Sequence, residues 1–535
     1  MQVGPVDYLI IGIYFVFTIG IGFALKKQMV SSEDFFLAGH KIPSWVTGLA
    51  FLSANLGAIE VMGMAANGAQ YGIMTAHFYW LGAIPAMVFL ALYMMPFYYC
   101  SNVRSVPEYL KKRFNEPTRA LNAVSFAVMT VLMSGINLFA MALVFKLLLH
   151  WDMNVSIFIA AGVVLVYTYL GGLTSSIYNE VMQFFLIVFG LLPISIIGLC
   201  RVGGWEGLVA KFPNPGFGHL WAGTATANNG MGVDWIGLVS GLGFVLSFGY
   251  WCTDFLVIQR ALAAEDLKAA QRTPLIAAFP KVFFPLLTVL PGLIAVVVLP
   301  ELGKDLGENS YNQAMPQLLM KLYPSGMLGV GLTAMLASFM SGMAGNVTAF
   351  NTVWTYDLYQ SYIGKNKSDE HYLKMGHYAT AGGILISIGT AYLVSGFPSI
   401  MDYMQMIFTF FNAPLFATFL LGMFWKRCTP WGAFWGLVIG TSTAVAHYLM
   451  TGHQLHYPSL MAGNFWRSIY AWLACFICTI AISFFTKPKP ESELVGLVYG
   501  MSPVPPGDPV SWYKRPAVLA GMILAITVVA NIVFW

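Results

Sequence analysis

YWCTDFLVIQRALAAED, Tyr250 to Asp266, closes an otherwise apolar stretch of the chain. It sets two aromatics, a thiol, a hydroxyl and a carboxylate where a helix bathed in lipid carries Leu and Val. Placing Asp254 in hydrocarbon costs roughly 2.5–3.5 kcal/mol on insertion scales, so it must face protein or a water-filled cavity.

The rest of the chain supplies the membrane context. Aliphatic, aromatic and sulfur residues make up 58% of 535 residues, charged ones 9%, and mean hydropathy is +0.70. A soluble domain carries about 25% charged residues, so this reads as an all-α integral membrane protein. A net charge of +4, spread over scattered loops, argues against a nucleic-acid partner. The six cysteines show no paired extracellular framework, and Cys475 and Cys478 read as packing inside an apolar span. The opening MQVGPVDYLIIG has no basic n-region and no small-residue cleavage site, so it reads as a retained first helix.

A spanning helix needs ~20 mostly apolar residues. That ruler predicts fourteen, near 8–25, 46–66, 75–98, 121–149, 155–170, 176–200, 235–258, 276–298, 325–354, 377–395, 402–424, 431–450, 466–485 and 516–534. The Gly171–Gly172 break separates the short fifth from the sixth. With the N-terminus outside, alternate loops hold twenty Lys and Arg inside and four outside (Arg201, Lys211, Lys304 and Lys321). Such asymmetry follows the positive-inside rule and places both chain ends outside. The chain reads as one membrane domain, 1–535, without a soluble one. VPEYLKKRF at 106–114 reads as an interfacial turn with its basic residues toward headgroups. Prolines at 488–490 and 503–506 break any helix between the last two spans.

Two spans are unusual. SANLGAIEVMG (53–63) flanks Glu60 with Gly57 and Gly63, and GLGFVLSFGYW (241–251) is interrupted by glycine. Gly-interrupted polar helices in corresponding places point to the site of an inverted-repeat transporter, with spans 2–6 and 7–11 as its halves.

Five segments in order carry a family resemblance. SSEDFFLAG (31–39), YTYLGGLTSSIYNEVMQ (167–183), the Tyr250–Asp266 stretch, MLASFMSGMAGNVTAFNT (335–352) and FLLGMFWKRCTPWGAFWGLVIG (419–440) resemble the solute–sodium symporter family. YWCTD, DYMQ (402–405) and the fourteenth span resemble its sodium–glucose (galactose) branch in particular. The resemblance implies a LeuT-type fold. Its parts are a first helix (8–25), two five-helix inverted repeats (46–200 and 235–424) and three C-terminal helices (431–534).

The resemblance also assigns residues. Lys281, alone among apolar neighbours in AAFPKVFFPLL, would donate to sugar hydroxyls, although a snorkelling or structural lysine is the plainer alternative. Gln405 would offer a donor and an acceptor to a hydroxyl pair, against an ordinary helix–helix bond. Tyr250 and Trp251 would form an inner gate over the sugar, with Ser247 a turn earlier. Glu60 stands where the family has glutamine or histidine. It would bind hydroxyls, carry a proton, or pair with Lys281. Tyr79 replaces the glutamate usual in the middle of Phe78–Tyr79–Trp80, which points to a rewired pocket. Met64, Phe78 and Met401 fall at outer-gate positions, where pliable apolar side chains serve equally as core.

The implied sodium site joins the carbonyls of Ser53, Leu56 and Ser338 to the Ser341 hydroxyl. A second hydroxyl position is Gly342, which leaves one oxygen short. Glu180 replaces an aspartate tied to sodium coupling, and Asn55 would tie the unwound backbone.

The expectation is a secondary active transporter that couples inward sodium flow to uptake of a hexose such as glucose or galactose. A polyol or sugar acid as cargo, proton-coupled or uncoupled sugar flow, and a sugar sensor remain open. The absence of HExxH, GxSxG and an accessible carboxylate dyad argues against an enzyme. The expected partners are the sugar and membrane lipid, with no obligate protein partner. Short loops favour a multi-pass protein of a bacterial inner membrane.

Overall fold

A computed structural model describes residues 3–26, 36, 38, 41–304, 310–397, 399–501 and 511–535. Most of the 31–39 segment and the prolines at 503–506 lie outside the described residues. Helices dominate, and among the described residues the only β pairing is two isolated bridges.

In chain order the long helices are α1 (Pro5–Lys26), α2 (Ser44–Asn55 and Ile59–Ala76), α3 (Phe78–Cys100) and α4 (Glu116–Leu149). Then come α5 (153–171), α6 (Gly172–Val202), α7 (Gly237–Thr253 and Phe255–Leu262) and α8 (Leu267–Lys281 and Phe284–Val298). The last six are α9 (Met327–Ile363), α10 (Asp369–Val394), α11 (Ile400–Phe424), α12 (Pro430–Met450), α13 (Leu460–Phe485) and α14 (Pro516–Val533). Among the described residues, eight helices are long and apolar enough to cross a membrane, or eleven counting each bent pair as one span.

Each break has a local cause. Gly172, at φ 53° and ψ −153°, parts α5 from α6 in a conformation that only glycine adopts at no cost. Between its arms α2 bends by 61°, α7 by 47° and α8 by 50°. At the α7 break Asp254 is extended and caps the second arm, its Oδ1 accepting from Leu256 N at 2.9 Å. The carbonyl freed there, Cys252 O, accepts from the Tyr98 hydroxyl at 2.9 Å. The α8 bend, which hydropathy alone did not predict, lies between Pro280 and Pro285, and Trp80 Nε1 donates to the freed Val282 carbonyl at 2.8 Å.

Two buried charges tie helix ends rather than facing headgroups. Arg113, at the end of the short helix Val106–Arg113, is fully buried and donates to the carbonyls of Gly422, Trp425 and Cys428 at the end of α11. The interfacial reading of 106–114 therefore fails for this residue, because the last carbonyls of α11 need donors. Asp7, on α1, accepts from Gly326 N and Gly329 N at 2.7 Å each and caps the start of α9. The long helix α9 is the hub: it packs on α1, α2, α4 and α6.

Candidate functional site

A cavity of about 80 Å3 lies where the breaks of α2 and α7 meet α3, α4, α8, α9 and α11. Glu60, Tyr79, Ser247, Tyr250, Trp251, Lys281 and Gln405 all line it. So do Asn55, Gly342, Met64, Phe78 and Met401. Thus all seven expected sugar contacts, drawn from five helices, share one space.

Lys281 is the centre of its polar network. It is fully buried at the end of the first arm of α8, and Nζ donates to Glu60 Oε1 at 2.9 Å and to Asn55 Oδ1. Nζ also lies over the rings of Trp251, at 4.6 Å, and of Tyr79 and Phe284, each at 5.4 Å. Glu60 sits in the wide turn Ile59–Gly63 immediately after the α2 break, which carries its carboxylate inward. Its other oxygen, Oε2, accepts from the Tyr79 hydroxyl at 2.5 Å, and that hydroxyl lies 2.9 Å from Thr288 Oγ1. Tyr79 therefore supplies a bond to a carboxyl group, that of Glu60, rather than being one.

Asn55 does not tie the unwound backbone. Its amide nitrogen donates to the Tyr250 hydroxyl at 2.8 Å while its oxygen receives Lys281, so it links α2, α7 and α8. The backbone of the break is held instead by Asn137 on α4, whose Oδ1 accepts from Ala58 N at 2.9 Å. Asn137 and Thr288 are polar residues within long apolar helices, and nothing in sequence but that contrast marks them. Tyr250 stacks on Phe408, centroids 5.0 Å apart, and Trp251 on Phe51 at 5.8 Å, so one wall of the cavity is aromatic. Gln405 is buried with Oε1 unbonded, an acceptor facing this space.

The expected sodium residues gather beside the cavity. Ser338 Oγ donates to Leu56 O at 2.7 Å, and Ser341 Oγ donates to Ser53 O at 2.9 Å and lies 3.2 Å from Ser53 Oγ. Ser338 thus presents its hydroxyl to the α2 break, where its carbonyl was expected. Gly342 is a packing residue: a Cβ there would lie 2.8 Å from Gly57 Cα and 2.7 Å from Asn137 Oδ1. A side chain at 342 has no room because α9 presses directly on the broken turn.

Glu180 lies outside the cavity. Its two oxygens face Arg260 at 2.6 Å (Nη2) and 3.3 Å (Nε), both residues fully buried. Arg260, one of the twenty basic residues that the sequence places in inner loops, sits in the second arm of α7 and also reaches Ser176 and Thr348, pinning that arm to α6 and α9. Met64 and Met401 are buried beside the cavity and Phe78 is half-buried.

Bent helices meet at a cavity that carries a few convergent polar groups on a largely apolar lining, with a cluster of hydroxyls and carbonyls beside it. The structure has a TM-score of 0.78 to a sodium-coupled sialic acid symporter solved in a substrate-bound outward-open state. That match has 20% identity and covers 91% of this chain and 99% of the other. A nucleobase–cation symporter in a closed conformation gives 0.53 at 11% identity, covering 86% and 97%. The model of the sodium:solute symporter family matches residues 35–440, and the chain belongs to that family. Among curated relatives, a sodium/glucose cotransporter of Vibrio parahaemolyticus is 30% identical over 81% of this chain and 83% of its own. Sodium/glucose cotransporter 4 of Danio rerio is 28% identical over 92% and 80%.

Proposed function

We propose that this protein couples inward sodium flow to the uptake of a hexose by alternating access. The observation that carries the reading is the aromatic-walled cavity beside the Ser53–Leu56–Ser338–Ser341 oxygens. Relatives named as sodium/glucose cotransporters along most of the chain support the cargo and the ion. A neutral sugar suits the cavity better than a sugar acid, because Lys281 already has Glu60 as its counter-charge. Sodium is cargo as well as driver. It can raise sugar affinity only by binding one conformation better than the other.

In this reading Ser53, Leu56, Ser338 and Ser341 hold sodium at the α2 break, with Gly342 allowing the close approach. Glu60, Tyr79, Ser247, Trp251, Lys281 and Gln405 receive the sugar. Met64, Phe78 and Met401 close above it and Tyr250 below, and Asn55 and Glu180 relay the movement. The two halves, 46–200 and 235–424, rock about that centre. Fourteen crossings with both ends outside complete the proposal, supported by the excess of Lys and Arg in the inner loops, which stays large with Arg260 placed inside α7.

Uptake of a radiolabelled hexose panel into proteoliposomes tests it, with and without an inward sodium gradient at fixed pH. Accumulation above equilibrium only with sodium is expected. Equilibration indifferent to sodium would overturn the coupling.

A further inference from the structure

Where α9 ends, a second cavity has no part in the transport scheme above. About 680 Å3 in volume, it opens between the short helix Val106–Arg113, the start of α4, the last turns of α9 and the loop that leads to α10. Lys111, Arg119, Lys365 and Lys367 line it against a single acid, Glu116.

Direct bonds fix these walls. α4 packs on the last turns of α9, and the Tyr362 hydroxyl donates to Glu116 Oε1 at 2.5 Å. The same oxygen receives Arg119, which is 5% exposed and whose Nη1 lies 3.6 Å from Asp357 Oδ1 on α9. In the loop, the Tyr372 hydroxyl donates to Gly364 O at 2.8 Å and accepts from Lys367 N at 3.0 Å. Those two bonds close the turn 364–367, where Asn366 takes a left-handed φ of 53°. Lys365 and Lys367, on either side of Asn366, are thereby held at the cavity by a fixed turn.

The charges here do not cancel. Glu116 is shared between Arg119 and Lys111, whose Nζ lies 3.2 Å from Oε2. With the buried Asp357 counted as well, four cations meet two carboxylates, an excess of two. Lys365 and Lys367 form no ion pair among the described residues. Glu370 is taken by Lys374 at 2.7 Å, and neither it nor Asp369 lines the cavity. The amides of Gln360 and Asn366 stand among the cations. Cations with hydrogen-bond donors on one concave surface suit a phosphate. The surroundings select which phosphate. A membrane helix ends here and another begins, which sets the cavity at headgroup level, where basic pockets between helices recognise anionic lipids. Beside it Tyr362 is 48% exposed and Ile363 72%, an apolar flank for acyl chains that a soluble phosphate would not use.

We infer that this cavity seats the phosphate headgroup of an anionic phospholipid of the inner leaflet, held by Lys365 and Lys367. Only the leaflet rests on the proposed orientation; the binding needs neither sugar nor sodium. Native mass spectrometry of the purified full-length protein, titrated with phosphatidylglycerol or phosphatidylcholine, tests it. One phosphatidylglycerol should bind ahead of any phosphatidylcholine. Lys365→Ala with Lys367→Ala should weaken that lipid about thirtyfold and leave phosphatidylcholine binding as it was. Lys426→Ala with Arg427→Ala removes the same charge from another inner loop and should keep the lipid. Thermal unfolding establishes that each variant is folded, and Lys367→Gln alone, with a loss of about fivefold, serves if the double variant is not. Equal losses in the two double variants would reduce the effect to general attraction by a basic face and overturn the site. So would a wild type that binds the two lipids alike. Glycerol phosphate bound as tightly as phosphatidylglycerol would overturn a lipid as the occupant.

Discussion

Lys281 is a cation inside an apolar helix, and its neighbours follow from what such a charge requires. A buried pair gains little over an apolar one, but removing one member leaves the other charge stranded at a cost of about 3–5 kcal/mol. Lys281→Met should therefore lower the unfolding temperature markedly and abolish sugar uptake. Glu60→Gln with Lys281→Met should regain much of the thermal stability, because no unpaired charge is left, yet remain inactive. Thermal unfolding in detergent beside proteoliposome uptake reads both, and a double variant no more stable than the single would refute the pairing. The same logic explains what sequence could reveal at this scale. Lys281, Glu60 and Gln405 stand out because charges and amides in an apolar span demand an account. The pairing of Glu60 with Lys281 is one of the roles the sequence leaves open for Glu60, and the two side chains lie 2.9 Å apart. Asn137 and Thr288 were missed because small polar side chains in long helices ordinarily bond to their own turn or a neighbour. Their aim at the α2 break and at Tyr79 depends on helix rotation, which composition does not encode.

At the scale of elements, the α2 break works because α9 lies directly against it. Gly57 and Gly342 face each other, and the Ser338 and Ser341 hydroxyls answer carbonyls that a straight α2 would have bonded itself. Gly342→Ser would add the hydroxyl that the family resemblance implies but force a Cβ against Gly57. Overpacking of that kind costs about 1–3 kcal/mol. The variant should be less stable and bind sodium no more tightly than the wild type. A tighter sodium site at unchanged stability would mean that the lost hydroxyl, not the packing, is what matters here. The glycines around Glu60 and the Gly171–Gly172 pair announced two of the breaks in sequence. The α8 bend was hidden because Pro280 and Pro285 lie in an otherwise ordinary apolar run, and the groups that satisfy it come from Trp80, two hundred residues away. Likewise Arg113 reads as an interfacial base until α11 is folded beside it.

Over the whole molecule, the residues proposed for the ion and those proposed for the sugar are joined through Asn55. Its amide bonds Tyr250 on α7 and receives Lys281 from α8, while Ser53 and Leu56, two residues before it and one after, carry the carbonyls that the Ser341 and Ser338 hydroxyls meet. Orientation in the membrane can be read directly: Lys211→Cys should react with an impermeant thiol reagent from outside intact cells, and Lys365→Cys only after permeabilisation. The reverse pattern would invert the topology. The link itself makes a sharper demand. By thermodynamic linkage, the factor by which sodium tightens sugar binding must equal the factor by which sugar tightens sodium binding, typically about 5–150-fold. If Asn55 is the connector, Asn55→Ala should shrink both factors equally toward one. Each ligand alone should still bind, because the serine hydroxyls, Glu60 and Gln405 remain. Titrating each ligand at zero and saturating concentrations of the other, by tryptophan fluorescence or calorimetry, measures both factors in wild type and variant. A variant that keeps the wild-type factor would show that α9, packed on both α2 and α6, carries the coupling without the Asn55 bridge. A variant that binds neither ligand would place Asn55 inside the sites themselves rather than between them.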